Sequence, residues 1–379
     1  MAISVHDHRR PFLRVLHRTL DVAEYFDALE LAVRPLVPFD ASCWLTLDPA
    51  TRLPTSHVSR LYGMEHLMAL VANEYLEEDV NRFADLAEAA RPVGLMSTAT
   101  GGHLESSPRF VGVLAPLGYE GDELRAVFRD GDAVWGAVAI HRRQGAFTEA
   151  EADLVAGVAG IVAAGIRRAI LRTAVSVDRG PEPPGLIVLR GDDSLEVMTP
   201  AARRLLGEAF DSTVGWSPVP LTVAGVAQQA RRSANGETEE IAGARLPTRT
   251  GGWLRLDASL LGEDAAGRVA VIVSVAREPE IANLIARAYG LSAREREVTG
   301  FVLRGGSTRE IAAALHVTSY TVQDHLKSIF EKVGVRSRRE LVAQLFLQQC
   351  APRLTAGVAP GADGWFVDEE QVARRQVPA

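Results

Sequence analysis

Three side chains near the C-terminal end, Gln323, Asp324 and Lys327, have the chemistry to read nucleic-acid bases. A glutamine amide can pair bidentately with adenine, an aspartate can accept from the cytosine amino group, and a lysine can reach guanine or a phosphate. Their spacing places them on one side of a helix. Val322, Leu326, Ile329, Phe330 and Val333 recur at helical period and define the opposite, inward side. Ser319, Tyr320 and Glu331 share the outward side. Ser307 and Thr308 stand at the start of the preceding helix, where backbone N–H groups can hold phosphates. Arg336, Arg338 and Arg339 can add backbone contacts. The candidate DNA contacts are therefore Ser307, Thr308, Ser319, Tyr320, Thr321, Gln323, Asp324, His325, Lys327, Lys332, Arg336 and Arg338.

Short helices must position these groups. Three S-x-x-E boxes, Ser292/Glu295, Ser307/Glu310 and Ser337/Glu340, each predict a helix start, the serine accepting from an N–H and the glutamate reaching back. Gly305-Gly306 end the first helix, and the second closes near Leu315. A turn of about three residues (His316, Val317, Thr318) leads to the third helix, capped by Thr318 and ended before Gly334. Two helices joined by so short a turn make a helix-turn-helix unit. A plain structural bundle is the alternative, His325 can pack or touch phosphate instead of a base, and His316 reads as a turn residue.

The whole segment from Leu291 to Phe346 resembles the LuxR/GerE-type helix-turn-helix. The resemblance rests on the REREV entry, the glycine before a capping serine, EIA, the TV-x-x-H-x-x-x-I pattern and K-V-x-V-R-S-R. It implies a structural Glu295, a core Val322, and Gln323, Asp324 and Lys327 as the base-facing set. Many members carry lysine where Gln323 stands and a small apolar residue at the Asp324 position, and an aliphatic residue is usual where Thr299 stands. These departures bear on the target sequence.

Charge follows the same division. Residues 285–350 hold ten Lys/Arg against six Asp/Glu, a net +4, while the remainder of the chain stands at −11. A basic end on an acidic body suits a protein whose nucleic-acid contact is confined to one module. The two cysteines, Cys43 and Cys350, form no metal-ligand spacing, and a reducing cytoplasm fits. The N-terminus lacks the apolar core of a signal peptide, and the most membrane-like run, Val155 to Ile166, is too short to span a bilayer. No P-loop, G-x-S-x-G elbow or phospho-receiver arrangement of acids is present, so an enzyme is not expected.

Upstream, the linker 175–184 separates two α+β regions. In the first, Asp21 to Leu36 and Met64 to Ala87 read as helices and Ala41 to Leu47 as a strand. Glu123 to Phe128 and Ala133 to His141 read as strands joined through an Asp-Gly turn. A long helix follows, opened by a Thr148/Glu151 capping box and carrying a small-residue side at Gly157, Gly160 and Gly165. This pattern resembles a GAF domain. The second region shows strands near 185–198, a short helix from Pro200, an ill-defined stretch at 211–235, and strands at Trp253–Leu261 and Arg268–Ala276. It resembles a PAS domain.

The expected architecture is thus an α+β GAF-like region (1–174), a PAS-like region (185–280), an all-α four-helix LuxR-type domain (288–350) and a disordered tail (351–379). The resemblance implies a transcription regulator that binds double-stranded DNA as a homodimer and works with RNA polymerase. Leu341, Val342, Leu345 and Phe346, or the helix 149–172, are candidate dimer contacts. No cofactor or metal is expected: Asp40, Asp48 and His57 are irregularly spaced, Trp44, Trp135 and Trp253 read as core, and Cys43 as a core strand residue with redox chemistry the alternative. Whether the sensor regions take a small molecule or serve as a protein-interaction scaffold stays open, an apolar cavity favouring the former.

Overall fold

The computed structural model describes residues 5–59, 64–131, 133–173, 182–209, 221–239, 241–248, 252–262, 264, 266–276, 289–303 and 305–342. Most of the Pro/Gly-rich linker, the stretch 211–220, Leu345, Phe346, Cys350 and the tail from 351 lie outside these residues. The chain divides into two compact units, residues 1–174 with 182–276, and residues 277–379 with 175–181.

The first unit contains two five-stranded antiparallel sheets. Strands β1 (Ala41–Leu47), β2 (Pro54–Ser59), β3 (Val93–Leu95), β4 (Glu123–Asp130) and β5 (Ala133–His141) make the first, in the order β2-β1-β5-β4-β3. Its helices are α1 (Val5–Leu16), α2 (Val22–Val33), α3 (Met64–Leu76), α4 (Phe83–Glu88), the short α5 (Met96–Ala99) and α6 (Glu149–Thr173). The expected Thr148/Glu151 cap forms at the start of α6, and Asp21 and Glu24 close a further capping box on α2. The helix expected from Met64 to Ala87 is instead two. Asp79 turns inward to accept from Ser107 and the Arg109 N–H, and Asn81 takes a left-handed backbone (φ 55°), so α3 and α4 cannot be continuous.

Every residue of β1 and β5 is buried. Antiparallel sheets commonly leave one face in water, but here α6 with α1 and α2 covers one face, where Phe26, Trp44 and Phe128 stack in series. Helix α6 is long and apolar enough to cross a membrane by length and composition, beyond the 12 residues that its sequence suggested. Half of that apolar stretch is buried against the rest of the unit.

The second sheet is built from β6 (Gly185–Leu189), β7 (Leu195–Met198), β8 (Gly243–Pro247), β9 (Trp253–Leu260) and β10 (Val269–Val275), with helices α7 (Pro200–Ala209) and α8 (Leu221–Ala234). Its order, β7-β6-β10-β9-β8, repeats the path of the first sheet strand for strand. The repeat lies in topology and has no counterpart in sequence.

The two sheets share one core. Helix α8 lies between them, and Leu221 to Arg231 are buried all round. Close approach requires its small residues. A side chain at Gly225 would place its Cβ 3.3 Å from Pro54 Cδ on β2, tighter than ordinary contact. Arg245 on β8 grips the buried Asp48 through its guanidinium (2.6 and 2.8 Å) and its backbone N–H (3.1 Å). Asp48 is therefore an ion-pair partner. Asp40 accepts from the Arg143 N–H, and no cluster of three metal-ligating side chains occurs among the described residues. Trp44, Trp135 and Trp253 are core residues, and burial pushes the Cys43 thiol up to about 12, which removes thiolate reactivity at neutral pH.

The second unit is helical: α9 (Ala293–Leu303), α10 (Thr308–Ala314), α11 (Ser319–Val333) and a further helical stretch at 338–342. Leu291, Val298, Val302, Ile311, Val322, Leu326, Ile329, Val333 and Leu341 form its core. Leu341 is fully buried there and Val342 packs beside it, so this pair holds the domain together and Leu341 is not a surface dimer contact.

Candidate nucleic-acid interface and sensor cavity

Capping places the second helix of the pair, α11. The Thr318 side chain accepts from the Thr321 N–H and starts α11, and Gly334, in the left-handed region at φ 76°, ends it. Before it, Ser307 and Glu310 close a full capping box on α10. His316 holds the turn between them with φ 54°. The third box differs in detail: Ser337 accepts from the Glu340 N–H, but Glu340 reaches back to Arg336 N.

On α11 Val322, Leu326, Ile329 and Val333 of the inward set are buried and Phe330 half-buried, while Ser319, Tyr320, Gln323, Asp324 and Lys327 are exposed, Tyr320 at 73%. Thr321 and His325 are half-buried at the edge of that side. A shallow concavity gathers Thr308, Gln323, Lys327, Arg336 and Arg338 from three segments, although 30 positions separate its ends. Lys327, Arg336 and Arg339 make no side-chain hydrogen bond or ion pair among the described residues. The same holds for Arg309, an exposed cation in the first turn of α10 that no motif position marks in the sequence.

Two cations of the expected set are engaged inside the domain. Lys332 Nζ donates to both oxygens of Glu295 (2.9 and 2.6 Å), where Ser328 Oγ also donates (2.6 Å). Arg338 donates to the Gly306 carbonyl. Lys332 thus holds an ion pair with Glu295 while staying exposed, and α11 turns it toward α9. Burial raises the Glu295 carboxyl, but the hydrogen bonds from Lys332, Ser328 and Ser292 N–H outweigh it and hold the group at about 2. Because the folded value lies below the ordinary 4.5, this stabilisation is complete above pH 4.5 and fades as the pH falls toward 2. Glu295→Gln should cost about 2 kcal/mol at neutral pH. Its deficit in thermal midpoint against the parent should narrow between pH 4.5 and 3; a deficit independent of pH counts against the ion pair.

A family model described as "Bacterial regulatory proteins, luxR family" matches residues 289–345, the span of this helical unit. Residues 289–345 are a LuxR-family helix-turn-helix domain. This chain is 42% identical over 57 residues to the monoamine regulon transcriptional regulator of Klebsiella aerogenes, a match covering 15% of this chain and 25% of that protein. It is 44% identical over 59 residues to the probable transcriptional regulatory protein NarL of Mycobacterium tuberculosis, covering 16% and 27%. The chain thus spans about a quarter of the length of these curated relatives. Across 91% of this chain and 98% of that one, the structure of Escherichia coli SdiA aligns with 12% identity and a TM-score of 0.31.

The first unit carries a cavity of about 200 Å³ between the inner face of the first sheet and helices α3, α4 and α8. Cys43, Leu45 and Leu47 of β1 floor it, Leu70, Tyr75 and Phe83 wall it, and Leu221 and Gln229 of α8 roof it. At one end lies a buried ionic cluster. The Arg109 guanidinium, fully buried, donates to Glu123 Oε2 (3.0 and 2.7 Å), Asn73 Oδ1 (2.9 Å) and the Val80 carbonyl (3.0 Å), with Asp79 at 3.2 Å. Arg125 pairs with Glu74 (2.9 Å) and lies over the Phe83 ring (3.9 Å). Burial raises both the Glu123 and Asp79 carboxyls, yet the neighbouring guanidiniums carry both below their ordinary values. His141, buried beside Glu123, is pushed down to about 4 by desolvation and is neutral at physiological pH. None of this cluster stood out in the sequence, since its members come from positions 73 to 141 without a local pattern.

Proposed function

We propose that this chain is a sequence-specific transcription regulator that reads the major groove of double-stranded DNA with α11, as a homodimer, under the control of its GAF-like and PAS-like regions. The observation that carries the reading is the exposed row Gln323, Asp324 and Lys327 on the second helix of a helix-turn-helix pair within a LuxR-family domain. Ser307, Thr308 and the exposed Arg309, Arg336 and Arg339 supply phosphate contacts around it. One unit reads only a few base pairs, so two copies on paired half-sites are required for a specific address. The Gly157 and Gly160 side of α6 is exposed and is a candidate dimer contact within the described residues. A cytoplasmic location and engagement of RNA polymerase belong to the same reading. The apolar cavity supports a small-molecule signal.

A second reading, in which the sensor half is a protein-interaction scaffold, is favoured by the outer face of the second sheet, where Leu186 and Ile272 are cross-strand neighbours and Val197 is exposed nearby. Genome-wide mapping of DNA bound by the full chain decides the main reading. A small set of enriched sites with paired half-sites is expected; uniform coverage, or none, overturns it.

A further inference from the structure

The cavity under α8 has more cations than anions on its walls, Arg52, Arg125 and Arg232 against Glu74 and Glu123. Each of the five already has its counter-charge. In the interior, Arg125 pairs with Glu74 (2.9 Å) and Glu123 with Arg109 (2.7 Å). Nearer the solvent, the half-exposed Arg52 pairs with Glu88 (2.5 Å) and the half-exposed Arg232 with Glu237 (3.4 Å). An ion that leaves water needs an opposite charge waiting for it. A ligand of either sign finds none here, since a wall charge would first have to give up its present partner.

The rest of the wall is apolar, with three uncharged polar residues. Leu45, Leu53, Val71 and Val134 are buried, and Tyr75 and Phe83 close the side. Thr51, Gln229 and Thr238 supply hydroxyl and amide groups, and a glutamine amide has donor and acceptor sites for several partners at once. The volume is about 200 Å³. An apolar cavity of about 150 Å³ takes up benzene, so this one has room for about seven to nine heavy atoms. Both sheets are linked to the space, because Leu221, Gln229 and Arg232 lie on α8, which packs on β9 of the second sheet as well as on α3 and β2 of the first.

We propose that this cavity binds an uncharged, largely apolar molecule of that size, carrying at most one hydrogen-bonding group and seated between β1 and α8. Binding fixes α8 against the first sheet, so occupancy is felt by both sheets at once. That the molecule acts as a signal rests on the regulator reading above; that it binds does not.

Hexanol, hexylamine and hexanoate, equal in chain length and differing in charge, serve as probes on the full chain without DNA at neutral pH. Thermal midpoint and displacement of an uncharged apolar fluorescent dye are the readouts. Hexanol should raise the midpoint and displace the dye, and the two charged probes should each bind at least about 30-fold more weakly. Ala139 stands opposite Cys43 in the register, and both line the cavity. Ala139→Leu builds into that space and should weaken hexanol at least about 10-fold. Should that variant fail to fold, Ala84→Leu, at an exposed position on the cavity rim, should weaken hexanol in a folded protein. No hexanol shift, a shift with either charged probe equal to that with hexanol, or hexanol binding unchanged in a folded wall variant overturns the proposal. None of these results touches DNA binding, which is measured separately, so failure here and failure of the regulator reading are distinct.

Discussion

Replacing Gln323 and Lys327 together by alanine is expected to weaken binding to the chain's own target site by roughly 30- to 25,000-fold, from two lost contacts of about 1–3 kcal/mol each. Both side chains are exposed and the helix beneath them is held by Val322, Leu326 and Ile329, so the fold should be untouched. Single replacements separate their roles. A lysine on a phosphate should weaken all sequences alike and lower the salt slope by about one, whereas a glutamine on adenine should relax discrimination at one base pair. Electrophoretic mobility shifts at several salt concentrations, with circular dichroism as a control for folding, check both. Undiminished affinity in a folded double variant removes α11 from the reading role.

The second large effect is on stability. Arg109→Ala is expected to lower the stability of the first unit by about 3–5 kcal/mol, because it strands the buried Glu123 and Asp79 carboxylates. A domain of ordinary stability has about 5–15 kcal/mol in total, so the thermal midpoint should fall by roughly 10 °C or more. Thermal unfolding followed by far-ultraviolet circular dichroism measures it. A fall of one or two degrees would mean that water reaches the cluster and replaces the guanidinium.

The contrast between α11 and α8 shows why some of this molecule was legible in its sequence. Helix α11 is half-buried, so its apolar and polar residues alternate at helical period and announce both its existence and its exposed side. Helix α8 is buried all round, with Thr222, Gln228 and Gln229 as deep as its alanines, and a helix with no wet face writes no period. Capping boxes were legible because they are local: Thr148/Glu151, Ser292/Glu295 and Ser307/Glu310 all form within four residues. The Arg109 cluster was not, since its partners lie up to 36 positions away. Lys332 shows the same limit at a single residue. A lysine at the margin of an outward face looks alike in sequence whether it meets a phosphate or a glutamate 37 positions earlier.

The Asp48–Arg245 grip and the helix wedged between the sheets make residues 1–174 and 182–276 one body with one core. Two free-standing detectors would let a cell combine two messages on one promoter, each weighted separately. On the proposed reading, detectors fused through a common interior cannot do that: whatever tightens or loosens one does the same to the other, and a single output results. On that reading the duplicated sheet is no second input but the reporter for the first.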